Sequence, residues 1–358
     1  MQPPTHPPPP HAEQRLRAIR FDGPAYVPVN FQINKACAHD PDVRRLETLI
    51  RSHPLLFPDP ERRITDLHSE PAPWQREGEP YRDPWGCLWQ TTEHGITGCV
   101  VEHPLEDWAN WPSWTPPNPE RFNGWGPFDW DATAASRNTQ LERGELRDGA
   151  LRHGFLFLTL TYLRGFENAI FDMHDAEPRL DELLHAIERF DAEMVRRHLD
   201  TQIDVLRYPE DLGAQQSPMI SPELFRKYLK PIYARLMRPA VQRGIVVHMH
   251  SDGYVMDLVD DLIECGVNVL NIQDVVNGID RIAEQLRGRV AIDLDLDRRG
   301  IVHTGTPDDV DRHVREVIHK LATPNGGLLL MYDLYPGVPM DNVAALMDAL
   351  ETHTGIGG

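Results

Sequence analysis

The run Ile245-Val246-Val247-His248-Met249-His250-Ser251-Asp252-Gly253 decides how this chain is read. It begins as an apolar stretch of strand length, ends on ionisable side chains, and leads into residues 254–265, whose apolar spacing suits a helix. Strand, polar turn and helix in that order form the repeating unit of a parallel sheet. The unit recurs downstream. Residues 267–271 lead to a helix over 279–286, residues 290–294 to one over 308–321, and residues 327–332 to one over 340–350. In the third unit, Thr306-Pro307-Asp308-Asp309 offers an N-cap hydroxyl, a proline for the first turn and carboxylates for the positive helix end.

Working outward, further strand candidates lie at 203–207, 155–160, 96–101 and 25–29. Eight strands alternating with helices predict an α/β fold, a single (β/α)8 barrel of the TIM type, with an open doubly wound sheet as the alternative. Residues 1–14 form a Pro/His-rich tract expected to be a disordered tail, which leaves 15–358 as one barrel domain. The N-terminal part of that domain is a Trp/Pro-rich elaboration. All eight tryptophans fall between Trp74 and Trp130, and they read either as a lid or as hydrophobic glue for a region without long helices.

Charge and composition narrow the function. The chain carries 36 basic and 55 acidic side chains, a net charge of −19, with no basic run of the kind that grips nucleic-acid phosphates. No apolar stretch approaches the roughly 20 residues of a spanning helix, and the N-terminus lacks the layout of a secretion signal. A soluble, cytoplasmic protein without nucleic-acid or membrane partners is expected. The four cysteines are widely spaced and suggest neither a structural zinc site nor a redox pair.

A barrel of this type carries its chemistry where strands end. The late strands end on Glu210 and Asp211, on His248, His250 and Asp252, on Asn271, Gln273 and Asp274, on Asp293, Asp295 and Asp297, and on Asp333 and Tyr335. Asn and Asp commonly cap the helix that follows a strand, so each terminus taken alone has a structural explanation. Five polar termini together point to a site. His248 and His250 share one strand face, and an H-x-H followed by a carboxylate suits metal or proton chemistry.

Glu210-Asp211-Leu212-Gly213-Ala214-Gln215-Gln216-Ser217-Pro218-Met219-Ile220-Ser221-Pro222 with the following Phe225-Arg226 resembles the D-D-L-G-x-Q segment of the uroporphyrinogen decarboxylase superfamily, in particular its divergent methyltransferase-like branch. His250-Ser251-Asp252-Gly253, the stretch from Leu262 to Gln273, Gly305-Thr306-Pro307 and Pro339-Met340-Asp341-Asn342 are similar to later motifs of that family. Asp83-Pro84-Trp85-Gly86-Cys87-Leu88-Trp89, His103-Pro104-Leu105 and Leu163-Arg164-Gly165-Phe166-Glu167-Asn168 resemble pieces of the same branch and draw the Trp-rich region into the domain. The family's arginine-bearing N-terminal segment for the porphyrinogen is not found, and Ala36-Cys37-Ala38-His39 stands near its place. That departure argues against uroporphyrinogen itself as substrate.

The resemblance implies a single distorted (β/α)8 barrel and methyl exchange with cobalamin on a separate corrinoid protein. In the branch a zinc ion is held by H-x-C and a later cysteine. This chain has His250 and Asp252, with Asp333 near the later position, so the implied metal ligands are His250, Asp252 and Asp333 and the ion is a divalent one such as zinc. The expected reaction is methyl transfer from a small, O-methylated substrate to a corrinoid. Asp211, His250, Asp252, Asp297 and Tyr335 are the candidate catalytic residues, and Gln215, His248, Asn271, Gln273 and Arg298 the candidate substrate contacts. The alternatives are cofactor-free decarboxylation of a small acid held by Arg298 or Arg299, metal-dependent hydrolysis, and a barrel kept only as a binding subunit.

Overall fold

The computed structural model describes residues 11–297 and 299–356. In chain order its strands are β1 (Val29–Ile33), β2 (Tyr81–Arg82), β3 (Leu88–Gln90), β4 (Cys99–Glu102), β5 (Asp148–Ala150), β6 (Val205–Pro209), β7 (Val246–Ser251), β8 (Val269–Gln273), β9 (Ala291–Asp295) and β10 (Leu328–Leu334). Seven of them pair in parallel and alternate with helices, the TIM-barrel-like α/β fold the repeating units predicted. The chain forms two compact units, one of residues 11–77, 91–97 and 273–356, the other of Gly78–Gln90 and Gly98–Ile272.

The second unit holds β5, β6, β7 and β8 side by side, with Asp148 opposite Val205, Pro209 opposite His250, and His250 opposite Asn271. Val205-Leu206, Val246-Val247 and Val269-Leu270 are buried, as befits strands covered on both faces. The longest helix, Pro178–Asp200, buries Leu180, Leu183, Leu184, Ile187, Phe190, Met194 and Val195, the single stripe that helical spacing produces. In the other unit β1, β10 and β9 pair in parallel, Val29 with Leu330 and Leu330 with Leu294. There the capping box forms as read, with the Thr306 hydroxyl accepting from Asp309 N–H and the Asp309 carboxylate accepting from Thr306 N–H at 3.0 Å. Buried Asn342 donates to the carbonyls of Val302 at 3.0 Å and Gly305 at 2.8 Å, which ties the Pro339–Asn342 motif to the Gly305-Thr306-Pro307 turn.

Several expectations are corrected. Residues 155–160 are not a strand, because the helix Phe157–Arg164 begins within them. Nearly every side chain of that run is buried, so it shows no period, and periodicity alone cannot separate such a stretch from a buried strand. The parallel strand in that part of the chain is instead β5, a three-residue Asp-Gly-Ala piece with no strand signature. The apolar run at 96–101 contributes β4, an antiparallel member of the small β2–β3–β4 sheet rather than a parallel barrel strand. The run at 25–29 only leads into β1, and the helix expected from 254 is confined to Val259–Glu264. The tail boundary also moves. The helix His11–Ile19 includes residues 11–14, with Gln14 buried and accepting from Ala25 N–H at 2.6 Å, while residues 1–10 lie outside the described part. No helix among the described residues is long and apolar enough to cross a membrane.

Candidate functional site

The C-terminal ends of β5, β6 and β7 bring three side chains of the second unit together. His153 follows β5, Asp211 follows β6, and His250 lies near the end of β7. One ligand-type atom from each lies within 4.8 Å of the others. His153 Nε2 and His250 Nε2 each stand 3.6 Å from Asp211 Oδ1, and Asp252 Oδ1 lies 3.6 Å from the same His250 nitrogen. The two imidazoles are tilted with centroids 5.8 Å apart.

Backbone pairing holds this arrangement. Gly154 N–H donates to Pro209 C=O, Glu210 N–H to His250 C=O and Gly213 N–H to Asp252 C=O, so the three loops continue the sheet ladder past the strand ends. Asp252 N–H donates to Asp211 Oδ1 at 3.0 Å, and Leu212 N–H to Ser251 Oγ at 2.8 Å. Gly253 has φ +77°, and a Cβ there would fall 2.2 Å from Gly213 O. The glycines of the two family-like motifs therefore exist for each other, because their backbones touch.

Electrostatics set the protonation states. Burial raises the cost of charge on Asp211, but the imidazoles of His153 and His250 outweigh it and hold its pKa down at about 2. Burial opposes the His153 cation, and Asp211 overcomes that and raises its pKa above the ordinary histidine value. Beneath them Glu210 is fully buried and accepts from the N–H groups of Leu156 at 3.2 Å, Phe157 at 2.7 Å and Leu158 at 3.1 Å and from Tyr233 O–H at 3.0 Å. Burial pushes its carboxyl up to about 7 even though the backbone donors work against that.

His250 Nδ1 faces Asn271 Oδ1 at 2.7 Å. With the amide oxygen as acceptor, Nδ1 carries a proton, and Nε2, on the carboxylate side, is the nitrogen available to an ion. The ligand atoms of His153, Asp211 and His250 lie within 4.8 Å of one another, and both imidazole nitrogens stand 3.6 Å from the Asp211 oxygen. Ligands about 2.1 Å from a tetrahedral zinc stand about 3.4 Å apart, so the donor set suits a divalent ion in both chemistry and span.

Other candidates from the sequence sit as follows. His248 is buried one step deeper on β7, opposite Arg207 and Val269. Gln215 is exposed in the tight turn closed by Ala214 N–H to Ser217 C=O. Asp333 and Tyr335 belong to the other unit, Asp333 on β10 opposite Gln32. Gln273 closes β8 and its carbonyl accepts from Asn277 Nδ2. The Asp297 carboxylate accepts from the N–H groups of Arg299, Gly300 and Ile301, which is the work of a turn cap. Arg298 lies outside the described residues. Sequence reasoning missed His153, since the strand before it has no signature; its only signal was a histidine and a glycine ahead of an apolar run.

The family model described as uroporphyrinogen decarboxylase (URO-D) matches residues 153–353, more than half of the chain. No curated protein matches it by sequence. Among solved structures it is similar to a methyltransferase from Methanosarcina mazei, with TM-score 0.62 and 16% identity over 95% of this chain and 98% of that one. At that identity the likeness is one of fold. Slighter likenesses, both with TM-score 0.32, are to dihydropteroate synthase from Anaplasma phagocytophilum, 19% identical over 46% of this chain and 65% of that one, and to a putative vitamin-B12 independent methionine synthase from Listeria monocytogenes, 13% identical over 64% and 85%.

Proposed function

The chain belongs to the uroporphyrinogen decarboxylase family, and from that premise we propose that it is a methyltransferase component, moving a methyl group from a small O-methylated substrate to the cobalt of a separate corrinoid protein. The observation that carries this reading is the His153–Asp211–His250 group at the strand ends. The methyltransferase-like motifs and the fold shared with the M. mazei enzyme support it.

We assign the metal ligands as His153, Asp211 and His250, with Asp252 beside them, in place of the set His250, Asp252 and Asp333 implied by the family motifs. A divalent ion held there supplies Lewis acidity to an ether oxygen. The chain's own residues do the rest. Asp211 stays anionic across the physiological range, so it retains cations at the site. Asn271 keeps the His250 proton on Nδ1 and leaves Nε2 as a donor of electrons. The methyl group would pass to cobalt(I), whose electron pair forms the new bond while the C–O pair stays on oxygen, and the oxyanion left behind would be held by the ion at the site and take a proton from solvent.

The test is incubation of purified protein and aryl methyl ethers with cob(I)alamin. Formation of methylcobalamin and the free phenol, lost in His250→Ala and Asp211→Ala, is the expected result. Carbon dioxide release from a small carboxylic acid without any corrinoid would replace this reading by the decarboxylase one.

A further inference from the structure

Next to His153 in the chain, Arg152 is buried in the Trp-rich part of the second unit. Its side chain is 2% exposed and lies 3.1 Å from Asp83 Oδ2, a carboxylate with 0% exposure. Arg152 Nη1 donates to Gly124 C=O at 3.0 Å, and the guanidinium sits over the rings of Trp125 at 4.5 Å and of Trp89 and Tyr162 at 5.5 Å. Asp83 in turn accepts from Trp85 N–H at 3.0 Å, Cys87 N–H at 2.9 Å and Trp89 Nε1 at 2.9 Å. A Cβ at Gly124, whose φ is +93°, would meet Arg152 Cδ at 3.0 Å and Trp85 Nε1 at 3.2 Å.

A buried ion pair is weak evidence for stability, because desolvating both charges offsets their attraction. What such a pair does well is fix geometry, and here the fixed residue is the immediate chain neighbour of a site histidine. We propose that Asp83 and Arg152 are positioning residues that aim His153 at Asp211, so that the Trp-rich segment serves the site as a clamp rather than as a lid. Leu151 N–H donating to Arg207 C=O and Gly154 N–H donating to Pro209 C=O pin the backbone on either side. The rotation left open at 152–153 is closed by the guanidinium in its cage. Arg152 then packs among Trp89, Trp125 and Tyr162 while His153 stands beside Asp211.

The inference rests on reading His153, Asp211 and His250 as a metal centre, and the experiment separates the two. Apo-protein is titrated with cobalt(II), and the visible ligand-field absorption is followed in wild type, Arg152→Lys, His153→Ala and the double variant. Partners that orient ligands are worth about tenfold or more in metal affinity. Arg152→Lys is therefore expected to bind cobalt about tenfold more weakly, with the weaker absorption of a centre in which water replaces an imidazole. The double variant should match His153→Ala alone, because the two changes remove the same ligand. Additive losses, or a wild-type spectrum in Arg152→Lys, would overturn the positioning role while leaving the centre intact. Absence of cobalt binding in wild type would overturn the centre and this inference with it. Should Arg152→Lys not fold, Asp83→Asn takes its place: a weakened spectrum there supports the positioning role, and a wild-type spectrum overturns it.

Discussion

Gly213 and Gly253 touch backbone to backbone: a Cβ added to Gly213 would lie 2.4 Å from the carbonyl carbon of Gly253, and one added to Gly253 would lie 2.2 Å from the carbonyl oxygen of Gly213. The contact holds Asp211 and Asp252 in register across two loops, since Asp252 N–H donates to the Asp211 carboxylate. Gly253→Ala should therefore separate the loops. Denaturant unfolding should report a loss of about 2 kcal/mol or more, as for other changes that meet both a clash and a left-handed backbone, and metal uptake should fall with it.

Asp211 lies 3.6 Å from both imidazole nitrogens, whereas Asp252 lies 3.6 Å from that of His250 and is more exposed. Asp211→Ala is expected to abolish binding of one zinc per chain. Asp252→Ala should weaken binding by a smaller factor and keep the stoichiometry, measured by competition against a chromogenic chelator.

Asn271 supplies the acceptor for His250 Nδ1–H. Replacing it by leucine removes that acceptor without shortening the strand, and zinc affinity should drop about tenfold, as for other outer-shell partners. An unchanged affinity in that variant would mean that the imidazole is oriented by the sheet alone.

In the other unit, His313 Nε2 and Asp274 Oδ2 form a buried contact at 2.7 Å. Burial works against the His313 cation, but the Asp274 carboxylate wins and raises its pKa above 6.5. A histidine whose folded pKa lies above its unfolded one contributes stability that is complete below about pH 6.5 and lost as pH rises through the folded value. Unfolding free energy should thus decline as pH rises above about 6.5 through the folded value. His313→Gln should remove that slope, and a slope unchanged in the variant would assign it to another group.

Much of the fold is legible because β6 to β10 are apolar runs flanked by helices of clear period. The strand β5 is not, since Asp148-Gly149-Ala150 carries no β-branched or aromatic side chain and owes its pairing to β6. The helix Phe157–Arg164 is hidden for a related reason. Its N-terminal N–H groups are satisfied by Glu210, about fifty positions downstream, and no local capping residue announces it. For the site, Asp211, His250, Asp252 and Asn271 follow from what strands end on. His153 follows a strand that the sequence conceals, so it is missing from the candidates the motifs supply.

That same Glu210 makes one inseparable part of two stretches far apart in the chain. Its carboxyl seats the start of Phe157–Arg164, its own N–H donates to His250 C=O, and Asp211 is the next residue. A designer moving the His153 loop into another barrel would find the loop useless without the end of β6, and the end of β6 incomplete without β7. The portable element is the three-strand rim, exchanged whole.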